Sequence, residues 1–114
     1  MTIETQAIQV GDLFRNSWGY DQTNVDFYEV VGLTPSGKSV RVRPVAQEIV
    51  RAGVGTDYVR AVRGAYRGES ETRRINSYEY RGETEYWFRV NSFSSARQVS
   101  WEEEASQTAW GFGH

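Results

Sequence analysis

The hydrophobic positions of this chain alternate more often than they cluster. "VDFYEVVGL" (Val25 to Leu33) is dense in β-branched and aromatic residues, the composition of a strand. "TPSGK" follows; Pro35 presets φ and Gly37 is free to take a positive φ, so the chain turns there. "SVRVRPV" then alternates strictly, with Val40 and Val42 on one face and Arg41 and Arg43 on the other. Together these stretches predict an antiparallel hairpin, with Pro44 at its end or on an edge. Further on, "TRRINSY", "EYWFRVNSF" and "RQVSW" read as strands. In the second of these Tyr86, Phe88 and Val90 share one face, and Trp87 and Arg89 the other.

The middle of the chain is less regular. Arg60, Arg63 and Arg67 have helical spacing, but Gly53, Gly55, Gly64 and Gly68 interrupt the segment. The glycines favour extended or irregular backbone from Tyr58 to Tyr66, and a short helix over Pro44–Ala52 stays open. The first seven residues read as a lead-in and residues 102–114 as a tail. The expected architecture is one domain over residues 1–114. It is mostly β, a small SH3-like or bent-sheet barrel with room for that one short helix.

Composition narrows the chemistry. The chain has 114 residues, enough for a single core, and 14% are aromatic. There is no cysteine, and the one histidine is His114. Thiol catalysis, a Cys/His zinc site and a core His-based triad are therefore excluded, and no cofactor is expected. No stretch approaches the ~20 apolar residues of a membrane span, so a cytoplasmic protein with no membrane partner is expected. The net charge of -2 supplies no global attraction for nucleic acid. Twelve of the 13 basic residues are nevertheless arginine, which suits planar bidentate contacts and stacking on rings.

The stretch before the hairpin concentrates the candidate chemistry: "NSWGYDQTNVDFYEV" holds Trp18, Tyr20, Asp21, Gln22, Asn24, Asp26 and Tyr28. Asp21, Asn24 and Asp26 do not have the spacing of a calcium loop, so no metal is expected. The polar residues either satisfy the NH and OH groups of buried aromatics or form the floor of a binding surface. Trp18, Tyr20 and Trp87 are stacking candidates, and Arg41 and Arg43, about 6.5–7 Å apart on a strand face, are phosphate-contact candidates. The acidic run Glu102–Glu104 offers a complement to a basic partner or a solvated turn.

"VGDLFRNSWGYDQTNVDFYEVV" followed by "GKSVRVRPV" (Val10 to Val45) resembles a family of small proteins of bacteriophages, plasmids and other mobile elements of bacteria. Family members share the Ser-Trp-Gly-Tyr-Asp-Gln-Thr-Asn core, Asp-Phe-Tyr and a Gly-Lys turn. The family's tendency to Trp-Asp-Gly is replaced here by Trp101-Glu102-Glu103. The resemblance implies a mobile-element origin and action in a host bacterial cell; it brings no mechanism. The expected function is non-catalytic binding of a host protein, one that itself handles nucleic acid being an attractive case. Direct RNA or DNA binding through Arg41, Arg43 and aromatics is the alternative, and an enzyme using Asp21 and Asp26 a third.

Overall fold

The computed structural model describes residues 8–19 and 22–109, and these form one antiparallel sheet. The strands are β1 (Leu13–Trp18), β2 (Asn24–Leu33), β3 (Ser39–Ala52), β4 (Thr56–Tyr66), β5 (Glu71–Arg74), β6 (Asn76–Tyr80), β7 (Glu83–Asn91), β8 (Ser94–Val99) and β9 (Ala105–Thr108). Their order is β6-β7-β8-β1-β2-β3-β4-β9, with β5 pairing β3 beside β4. The sheet is open and strongly curled, a half-barrel, as the bent-sheet expectation has it. Among the described residues there is no helix, and so none long and apolar enough to cross a membrane.

The predicted hairpin forms as β2 and β3, with Val30 opposite Val42 and Leu33 opposite Val40. Its turn is held by the Thr34 hydroxyl donating to the Ser39 carbonyl (2.8 Å) and by Gly37 at a φ of 73°. The short helix over Pro44–Ala52 does not form. β3 instead runs through the whole segment, with irregularities between Val45 and Gln47 and between Ile49 and Arg51. Val45, Ile49 and Val50 favour extended backbone, and neighbouring strands supply ladder bonds, whereas an isolated helix this short is marginal. Pro44 fits because β3 changes partner there: Val42 faces β5 and Val45 faces β4. The Pro44 carbonyl points into that gap and accepts the Arg67 N–H at 2.8 Å. The missing proline N–H therefore removes no ladder bond.

Successive residues of a strand point to opposite faces, and the central strands β1, β2 and β3 use both. On one face Phe14, Val30, Val40 and Val42 pack with Phe88 and Ala96, and Tyr28, Ile75, Tyr86 and Val90 close around them. On the other face Leu13, Val25, Phe27 and Val45 pack with Val59, Ala61 and Ala105, joined by Val99 and Trp101. The first core is enclosed because β5 pairs β3 while β6 pairs β7, with only Ile75 between them. One bent stretch thus links the two ends of the curl. The second core needs β4 and β9, so the stretch expected as a tail contributes a strand to the sheet.

Candidate binding cleft

β1 carries Phe14, Asn16 and Trp18 on the face of the first core, so this face passes along one strand from sealed to open. Phe14 is fully buried, and its ring lies 5.0 Å from that of Phe88. Asn16 is also buried, at 2% exposure, although it is polar. Trp18, two residues further, is 41% exposed. Directly across β2, Asn16 faces Asp26 and Trp18 faces Asn24. The Trp18 indole N–H donates to Asp26 Oδ2 at 2.6 Å, which fixes the ring at the rim. Asn16 donates from Nδ2 to Ser94 Oγ at 3.2 Å, while its Oδ1 is buried with no protein partner among the described residues.

Strand pairing explains why the rim is open. β1 pairs β8 from Leu13 opposite Val99 to Asn16 opposite Ala96, and there the pairing stops. Ser17 and Trp18 continue to pair β2, and Ser94 and Ser95 continue to pair β7. The two strands therefore part beyond Asn16, and among the described residues one edge of each is left unpaired toward the other. Between them lies a cleft of about 540 Å³ lined by Ser17, Trp18, Gly19, Phe93, Ser94 and Ser95. Phe93, in the turn between β7 and β8, is 79% exposed. Gly19 has a φ of 125°, and a Cβ there would meet the Gln22 carbonyl oxygen at 1.9 Å. Only glycine lets the chain turn back at the cleft wall.

The other expected site residues do not gather here. Tyr20 and Asp21 lie outside the described residues. Gln22 donates to Asn24 Oδ1 (3.3 Å), and both line a separate hollow of about 300 Å³ with Ile49, Asp57 and Gln107. Tyr28 stands inside the curl against Phe88, edge to face at 5.7 Å. Burial pushes its phenol above the ordinary value; the Asp26 carboxylate adds to the shift and Arg73 opposes it. Trp87 lies on the opposite face of β7 from Phe88, where it lines a different hollow.

Arg41 and Arg43 alternate with buried valines as expected, but both are engaged within the protein. Arg41 Nη2 donates to Ser70 Oγ and Arg43 Nε to the Gly68 carbonyl, each at 2.6 Å. Arg43 also stacks 4.3 Å from the centre of the Tyr66 ring. They act as clamps on the β4–β5 connection. The acidic run is likewise tied down: Glu103 pairs Arg15 at 3.0 Å, Glu104 pairs Arg51 at 3.2 Å, and Glu102 accepts from Ser100. That hydrogen bond lowers the Glu102 carboxyl.

Phe93, Ser94 and Ser95 complete the cleft, with buried Asn16 bonded to Ser94 beneath it, and the sequence did not single them out. Phe93 sits at a turn, where an aromatic ring has no core to enter. The sequence reads Phe93 as the end of a strand, whereas β7 ends at Asn91. No family model, no curated protein and no solved structure matches the chain. The resemblance noted above therefore rests on the quoted motif alone.

Proposed function

We propose that this protein is a non-catalytic binding module that engages a partner protein through the cleft between β1 and β8. The observation that carries the reading is the pair of exposed rings, Trp18 and Phe93, beside unpaired strand edges. Exposed aromatics at a concave site are the residues that dominate protein interfaces. Unpaired backbone N–H and C=O groups on the walls add directional bonds for an extended segment of a partner. Trp18 is oriented by Asp26 before any partner arrives, which reduces the entropy lost on binding. The motif resemblance supports a mobile-element origin and a partner from the cytoplasm of a bacterial host.

An enzyme built on Asp26 draws less support, because that carboxylate already serves as the acceptor for the Trp18 indole. The test is capture from bacterial lysate with a photo-crosslinker placed at Ser95. The reading expects a discrete crosslinked protein that disappears in W18A and in F93A, both still folded. Crosslinks that persist unchanged in both variants would remove the cleft from the function.

A further inference from the structure

We propose that the outer face around Trp87 is a second site, which takes a single-stranded nucleic acid by stacking a base on Trp87 and holding its phosphates with arginines. Cross-strand register assembles this site from positions far apart in sequence. Trp87 is directly opposite Asn76 on β6 and Arg97 on β8. Arg89 is two residues along β7 on the same face, opposite Ser95. Arg74 comes from β5, opposite Ser39. Arg74, Trp87 and Arg89 line, with Thr72, Arg73 and Asn76, a hollow of about 430 Å³.

The charge of these arginines is largely uncommitted. Among the described residues, Arg74 and Arg97 make no ion pair and no side-chain hydrogen bond. Arg89 donates only to the Ser92 carbonyl at 3.2 Å, which leaves its charge uncompensated. Arg73 is the exception, held by Glu71 at 2.6 Å. Glu85 shares the face, two residues from Trp87, but does not line the hollow. Among the described residues the Trp87 indole N–H has no partner, and it is not sealed from solvent.

A half-buried indole amid free guanidinium groups is the pairing that single-stranded nucleic acid uses: a ring for a base, cations for the backbone. A duplex keeps its bases stacked on one another and offers only the second contact. This site also differs from the Arg41 and Arg43 face, where both cations already hold Ser70 and Gly68. It shares no lining residue with the cleft at Trp18 and Phe93, although Ser95 of that cleft is opposite Arg89, and W18A and W87A tell the two apart.

The experiment is fluorescence anisotropy of labelled oligo-dT and oligo-U, about 12 nucleotides long, with the full chain from about 20 to 200 mM salt. Binding is expected to weaken with salt, and R74A and R97A are each expected to reduce the salt slope by about one. W87A is expected to weaken single-strand binding at least about fivefold, W87F to retain most of it, and W18A to leave it unchanged. The exposed R74A and R97A variants keep the test decisive if W87A does not fold. No binding at the lowest salt overturns the proposal. So does equal binding of duplex or heparin with no effect of W87A, which would mark a general polyanion surface.

Discussion

Trp101 and Trp18 both donate an indole N–H to a fixed oxygen, Trp101 to the Gly11 carbonyl at 2.7 Å and Trp18 to Asp26 at 2.6 Å. What surrounds the rings differs. Trp101 packs against Val99 and the second core, and Arg63 stacks on it with its guanidinium carbon 4.1 Å from a ring centre. It pins the β8–β9 connection to the start of β1. Trp18 has no such cover; it stands at the point where β1 and β8 part. A hydrogen-bonded indole is thus no sign of a structural role by itself. The same bond that locks one ring into the core holds the other in place to be met from outside.

The largest expected effect sharpens this contrast. W101A should cost about 3 kcal/mol of stability by emptying a packed site and orphaning the Gly11 carbonyl, measured by urea denaturation. Next comes S94A. It leaves Asn16 Nδ2 buried without an acceptor beside an Oδ1 that already has none, and should cost about 1–2 kcal/mol in the same assay. W18A should cost no more than about 1 kcal/mol, since the ring is largely at the surface, while abolishing partner crosslinking. A W18A loss equal to that of W101A would collapse the comparison.

The smallest effect is on alkaline stability. Tyr28 titrates above its ordinary value in the folded protein because burial, with help from Asp26, disfavours the phenolate. The folded state therefore holds this proton more tightly than the unfolded state. That contribution is fully present below a pH of about 10, the unfolded phenol's pKa, and is lost as pH rises through the folded value. Y28F should flatten this part of the decline when denaturation is followed on both sides of that pH.

The β2–β3 hairpin was legible because alternation and turn chemistry are local: Val40, Val42 and Gly37 signal it without help from elsewhere. The faces of β7 were legible for the same reason. Pro44–Ala52 was not, since its strand state depends on β4 and β5 arriving on one edge and changing over at Pro44. The engagement of Arg41 and Arg43 by Ser70 and Gly68 was hidden too, because their partners lie more than 20 residues away on a connection without a pattern. Trp18, Asn24 and Asp26 were visible as a group, but not the exposure of Trp18. That follows from where β1 and β8 stop pairing, a property of two strands some 80 residues apart. Composition announced the many arginines; only the register of β7 and β8 and the hollow reaching β5 bring Arg74, Arg89 and Arg97 to Trp87.

The central claim is that the Trp18–Phe93 cleft receives an extended segment of another protein. Selection of a displayed random-peptide library on the intact chain tests it most directly. Enriched peptides should share an apolar or aromatic position, and their affinity should fall at least about tenfold, roughly 1.4 kcal/mol, in both W18A and F93A. Enriched peptides that bind W18A and F93A as well as the parent chain, or a selection that enriches none, would contradict it.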